Sequence, residues 1–247
     1  MSRDLTVAVF RPDDERLRAA TDLVESLGAT PVPDPMLAVE PTGAAPRADA
    51  DFAVLTSTTG VGLAAEAGWD PAGSVCAIGS ATAGALREAG YAVDRVPEEF
   101  SSAGLVAALA GDVDGARVEV ARSDHGSDVL LDGLRDAGAY VHETVLYRLV
   151  RPEGSGESAE LAASGDLDAA LFTSSLTVEH FLDAAEERGV REAAVAGLGD
   201  AVVGAIGDPT RETAEGHGVA VDVVPATADF EELACEVVEA AAPTYRD

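Results

Sequence analysis

The sequence predicts an α/β protein of two similar, doubly wound domains built on parallel sheets. Three observations predict it. Short apolar runs alternate with longer amphipathic stretches along the chain, the pattern of βα units. A set of motifs recurs once, in register, in the second half. The length of 247 residues suits two modest domains, since compact domains commonly run to about 100–150 residues.

The strands expected, in chain order, are 5–10, 52–55, 75–78, 93–96, 118–121, 139–142, 169–172, 202–206 and 221–224. These short, largely apolar runs, set between longer helical patterns, are the signature of βα units around parallel sheets. Between them the spacing of apolar residues predicts amphipathic helices, among them 13–27, 83–89, 103–110, 127–137, 177–188 and 230–241. Gly28, Gly90, Gly138 and Gly189 stand where a left-handed residue commonly closes a helix.

Ala77-Ile78-Gly79 recurs as Ala205-Ile206-Gly207, and the same shift of 128 carries Thr82 onto Thr210, Gly90 onto Gly218, Val96-Pro97 onto Val224-Pro225 and Leu105 onto Leu233. Less strictly, Leu55-Thr56-Ser57 recurs as Phe172-Thr173-Ser174, and a strand ending in Arg11 recurs as one ending in Arg122. A tandem repeat alone would place the domain boundary near 111–115, but that joint reads as an ordinary loop. The loose segments are 31–50, with five prolines, and 143–165, with Arg151-Pro152-Glu153-Gly154-Ser155-Gly156. Each follows the first unit of a repeat, so the chain is expected to cross between domains twice. Residues 1–33 plus 166–247 then form one discontinuous domain, 51–142 form an inserted one, and 34–50 and 143–165 are interdomain linkers.

Sixteen basic residues stand against 45 acidic ones, for a formal charge of -29, and all sixteen are arginine. Without lysine, Schiff-base chemistry and the phosphate-binding P-loop are excluded. So strong an acidic balance argues against nucleic acid and against an anionic membrane, which need local positive charge. It is the surface expected of a salt-adapted protein. Cys76 and Cys235 have no metal-ligand or disulfide spacing, and the four histidines show none, so no metal is expected. The start, Met1-Ser2-Arg3-Asp4 and a short apolar run, is not a signal peptide, and Asp200 interrupts the longest weakly apolar stretch at 193–207. A soluble cytoplasmic protein is expected.

In open parallel sheets, ligands bind beyond the carboxyl ends of the strands, where helix starts present unpaired N–H groups. That edge here carries Arg11-Pro12, Thr56-Ser57, Gly79-Ser80-Ala81-Thr82, Arg122-Ser123, Thr173-Ser174-Ser175 and Gly207-Asp208-Pro209-Thr210. Each hydroxyl alone is more simply a helix cap. The duplicated set, one per domain, points to a shared cleft. Asp124-His125-Gly126-Ser127-Asp128 holds the ingredients of a triad, but neighbours on one loop cannot adopt its geometry. Gly197-Leu198-Gly199 precedes its strand and lacks the rest of a dinucleotide fingerprint. Tyr147, within the second linker, is equally a hydrophobic contact between domains or a group facing their cleft.

Arg11-Pro12, the two Thr-Ser strand ends, the two Ile-Gly-x-x-Thr motifs at 78–82 and 206–210, the two Val-Pro pairs and Tyr147 occur in an order and spacing that resembles the uroporphyrinogen-III synthase family over nearly the whole chain. The first copy departs from the family's usual Phe-Thr-Ser, having Leu55, and Asp208 precedes Pro209 where an uncharged residue is common. The resemblance implies two α/β domains joined by a two-stranded linker. It implies dehydrating cyclisation of hydroxymethylbilane with inversion of ring D, without a cofactor, supplying haem, sirohaem or cobalamin synthesis. Tyr147 is then the candidate to assist departure of the hydroxyl. Arg11, Thr56, Ser57, Gly79, Thr82, Arg122, Thr173, Ser174, Gly207 and Thr210 are the candidates to hold the substrate's carboxylates. The expected partners are this linear tetrapyrrole and, transiently, the upstream hydroxymethylbilane synthase, with the chain acting as a monomer. The alternative is a non-catalytic two-domain protein that closes on an anionic small molecule.

Overall fold

The structure, a computed structural model, describes residues 5–242. The charged start at 1–4 and the last five residues lie outside them. The first segment forms β1 (Thr6–Phe10), α1 (Glu15–Ser26) and β2 (Thr30–Pro33). The middle segment forms β3 (Ala38–Pro41), β4 (Phe52–Leu55), α2 (Thr58–Glu66), β5 (Ser74–Ala77), α3 (Ser80–Glu88), α4 (Ser102–Leu109), β6 (Arg117–Ser123), α5 (Asp128–Asp136) and β7 (Tyr140–Val150). The last forms α6 (Glu157–Ser164), β8 (Ala169–Phe172), α7 (Ser175–Glu187), α8 (Arg191–Leu198), β9 (Val202–Ala205), α9 (Asp208–Gly216) and α10 (Phe230–Ala241). Two compact units result, one taking the chain up to Ala38 and from Val150 onward, the other Val39–Leu149.

In the first unit the sheet order is β2-β1-β8-β9, with all three pairings parallel. Alternate residues of β1 and β8 serve opposite faces. Val7, Val9, Ala169 and Leu171 meet α1 and α10 through Leu17, Val24, Leu233 and Val237. Ala8, Phe10, Ala170 and Phe172 meet α6, α7 and α8 through Ala159, Phe181 and Leu198. Because both faces are covered, the strands read as unbroken apolar runs. Phe10 stacks on Phe172 at 4.6 Å, and Phe181 meets both edge-on, pairs worth about 0.5–1.5 kcal/mol each beyond simple burial.

The second unit has the order β3-β7-β6-β4-β5, with β4–β5, β4–β6 and β6–β7 parallel. Val61, Ala64 and Leu86 of α2 and α3 cover one face, and Leu105, Leu109, Leu130 and Leu134 of α4 and α5 the other. In each unit the crossovers diverge between two central strands, β1 and β8 in one and β4 and β6 in the other. Those are the switch points where an open α/β sheet leaves a crevice.

Several expectations are corrected. The segments read as loose carry regular structure. β2 (Thr-Pro-Val-Pro) lies at the sheet edge, where a proline's missing N–H costs no ladder bond. β7 runs eleven residues, far beyond the strand expected at 139–142. α6 occupies the second supposed linker, its first turn met by a distant residue: Asp34 accepts from the Gly156 and Ser158 N–H groups at 2.7 and 2.9 Å and from the Ser158 hydroxyl. Conversely, 93–96 and 221–224 reduce to single bridges, Cys76–Arg95 and Gly204–Val223. There the side chains of Asp94 and Asp222 take the N–H groups of Val75 and Val203 at 2.8 and 2.9 Å, interrupting the ladder. Gly28 and Gly90 do close their helices with φ of 84° and 91°.

Candidate active site

Within the second unit, a concave site lies at the carboxyl ends of β4 and β6. There Thr56, Ser57, Ile78, Ser102, Arg122, Ser123, Gly126, Ser127, Leu130 and Tyr147 line a cavity of about 220 Å³. Four of the predicted residues, Thr56, Ser57, Arg122 and Tyr147, meet here. Ser102, Ser123 and Ser127 were not singled out as ligands, although the Ser101-Ser102 pair and Ser123 beside Arg122 carry the same hydroxyl signal on the same edge.

Tyr147 is placed by an irregularity in β7. Arg122 pairs with Val145, but Ser123 pairs with Tyr147, so one extra residue is taken up between them. Strict alternation would send Leu146 and Tyr147 to opposite faces. The bulge instead brings both into the cluster under α2 and α3. Tyr147 is 6% exposed, and its hydroxyl donates to Ser57 Oγ at 3.0 Å. Ser57 is the N-cap of α2, its Oγ also accepting from Gly60 N at 3.0 Å. With both lone pairs engaged, the Ser57 hydroxyl proton is free to point elsewhere. The position expected in a linker is thus a structured strand, and Tyr147 belongs to a hydroxyl pair.

Arg122 is buried and bound to its own protein. Nε donates to Glu143 Oε1 at 2.6 Å and Nη1 to Ser127 O at 2.6 Å, and Nη2 stands 3.6 Å from Asp128. A β-carbon at Gly126 would lie 2.5 Å from Arg122 Cδ, so glycine there makes room for the guanidinium. Arg122 forms a wall of the cavity, with its charge balanced by Glu143.

The first unit carries Arg11 and Thr173 at its own switch point. Thr173 Oγ1 donates to Phe10 O at 2.7 Å, stitching β8 to β1. Ser174 and Thr177 close a reciprocal capping box on α7. Arg11 lies with Cζ 4.3 Å over the Phe230 ring, and its Nε is buried without a partner. Burial, then the charge of Arg16, lowers its pKa, and Asp14 and Asp229 partly offset this. It is a half-buried cation with a donor to spare.

Gly79 and Gly207 are the N-caps of α3 and α9, and no side chain caps either helix. Thr82 and Thr210 are therefore not caps; both sit three residues beyond them and are buried. The two starts are unequal. α3 has no acidic residue in its first turn, whereas α9 has Asp208, and Pro209 removes one N–H. Thr210 N also turns back to Gly207 O at 3.1 Å. Only α3 keeps the free, uncharged start that suits an anion.

A larger hollow of about 530 Å³, with Arg47, Arg117, Glu119, Tyr140 and His142 among its walls, lies at the amino edge of the same sheet. Its arginines are engaged with Asp49 and Asp51. Among the described residues, no group of three or more His, Cys, Asp or Glu is arranged to hold a metal ion.

Residues 18–235 match the family profile described as uroporphyrinogen-III synthase HemD. A relative from Methanothermobacter thermautotrophicus, provisionally named a uroporphyrinogen-III synthase, is 34% identical over 230 residues, covering 86% of this chain and 90% of its own. A crystal structure of a mutant uroporphyrinogen III synthase from Thermus thermophilus superposes with a TM-score of 0.67 at 22% identity, over 96% of this chain and 98% of that one. A uroporphyrinogen-III synthetase from Helicobacter pylori gives 0.63 at 13% identity, over 97% and 99%. At these identities the two structures speak for the fold.

Proposed function

The chain belongs to the uroporphyrinogen-III synthase family, and from that premise we infer that it closes hydroxymethylbilane to uroporphyrinogen III with inversion of ring D. The observation that carries this reading is the family match over 18–235, which spans every residue of the hydroxyl-lined cavity.

The reaction begins when the C–O bond of the terminal hydroxymethyl group breaks, and the departing oxygen needs a proton. Ser57 can supply it, because its Oγ is held as an acceptor by Tyr147 and Gly60 and its own proton is uncommitted. The Tyr147 hydroxyl stands behind it to restore that proton. The cation left on the first ring is then attacked by the substituted carbon of ring D, giving a spiro intermediate. Fragmentation and reclosure at the other carbon follow, and loss of a proton restores the pyrrole. Substrate gives product plus water, and no redox partner is required. Because the substrate can also close without inversion, the enzyme's task is to hold one folded conformer. Within the second unit, the free start of α3 and the hydroxyls of Thr56 and Thr82 are suited to its carboxylates.

The composition supports a second part of the proposal. With -29 charge and no lysine, the chain is read as a monomer working in a salt-rich cytoplasm. No helix among the described residues is long and apolar enough to cross a membrane. The test of the activity is incubation with hydroxymethylbilane generated in place by its synthase. Isomer III as product supports the reading, and isomer I alone overturns it.

A further inference from the structure

Phe100 is 61% exposed in a chain whose aromatic content is only 4%, and it belongs to none of the hydrophobic clusters. Its position is specific. A β-carbon built on Gly79 would meet Phe100 Cβ and Cγ at 3.4 Å, so the ring's base rests against the N-cap of α3. Ile78, just before Gly79, and Ser102, two residues after Phe100, both line the hydroxyl-rich cavity. Phe100 is therefore a chain neighbour of residues that line that cavity, and it lies beside the start of α3, the one helix start among the described residues free of both acidic residues and side-chain caps. The repeat shows that folding does not ask for an aromatic there: the position 128 residues on is Ala228, while the neighbouring N-caps, Ser101 and Asp229, correspond.

We infer that the face of Phe100 is the surface on which one pyrrole ring of the linear tetrapyrrole stacks, with a carboxylate substituent of that ring reaching the N–H groups at the start of α3. The inference rests on the reading of this chain as the ring-closing synthase. A flat, electron-rich pyrrole finds in an exposed phenyl face what a polar rim cannot supply, and aromatic stacking fixes its plane while leaving its edge open to reaction. Holding one ring in place is what separates inverted from direct closure.

The test is steady-state kinetics and product isomer analysis for wild type, Phe100→Ala and Phe100→Tyr, alongside their thermal unfolding. The inference expects Phe100→Ala to raise KM about ten-fold and to increase the share of isomer I, with an unchanged midpoint of unfolding, because the ring is not part of a core. Phe100→Tyr, which keeps the face, should restore wild-type KM and isomer ratio. An unchanged KM in the alanine variant, an equal loss in the tyrosine variant, or a loss that follows a fall in stability overturns the inference while leaving the activity intact. A wild-type protein that yields isomer I alone overturns the parent reading, and this one falls with it.

Discussion

The hydroxyl of Tyr147 donates to Ser57 Oγ across 3.0 Å, joining the bulged end of β7 to the first turn of α2. The two residues are ninety positions apart, and the pair gives one hydroxyl a proton to spare and the other a way to replace it. Ser57→Ala removes both the relay and the N-cap. It should cost about 1 kcal/mol of stability and lower turnover by roughly ten- to hundred-fold. The double variant with Tyr147→Phe should be little slower than the worse single one, since the groups act in series. Independent, multiplying losses would show that the hydroxyls work separately.

Thr82→Val and Thr210→Val remove equivalent hydroxyls at nearly constant volume from helices with unequal starts. The α3 variant should lose more turnover than the α9 variant, because Asp208 and Pro209 leave α9 poorly suited to an anion. Turnover measured under identical folding conditions checks this. Equal losses would contradict the asymmetry.

Asp34→Ala should destabilise the protein by about 3 kcal/mol, because it strips three donors at the start of α6 of their acceptor in a buried place. Chemical denaturation reads the effect directly, and a loss below about 0.5 kcal/mol would mean that water replaces the carboxyl group without penalty.

Cys76 is buried, and burial, with a smaller contribution from Asp94, pushes its thiol up to about 12 from an ordinary 9.0. Between those values the unfolded chain has released a proton that the folded chain still holds, so stability is fully present below about pH 9 and falls as pH rises toward 12. At pH 8 a thiol reagent should modify Cys76 only after unfolding. Rapid modification of Cys76 in the native state would contradict its burial.

The repeat and the strand–helix alternation were readable from sequence because local pattern fixes them: Ile78-Gly79 and Ile206-Gly207 each end an apolar run and start a helix. What was not readable depends on distant partners. The proline-rich β2 looks like a loop until β1 lies beside it. The weakly patterned α6 needs Asp34, more than a hundred residues away, to meet its first turn. Tyr147 and Ser57 can each be picked out by position, but their pairing cannot, since the bulge that aims Tyr147 arises only when β6 and β7 pair. Arg122 looked like a free cation for the same reason: Glu143 meets it only across that pairing.

The charge of -29 with no lysine predicts that structure and turnover both require molar salt to screen self-repulsion. Far-UV circular dichroism across a salt series checks this, and full structure and activity in dilute buffer would contradict it.

The most direct test of the account is the single-turnover rate of isomer III formation from hydroxymethylbilane, measured for the wild-type protein and for Tyr147→Phe under the same folding conditions. The account predicts isomer III from both, with the variant slower by roughly ten- to hundred-fold and its fold unchanged. Isomer III formed by Tyr147→Phe at the wild-type rate, or none formed by the wild type, would contradict it.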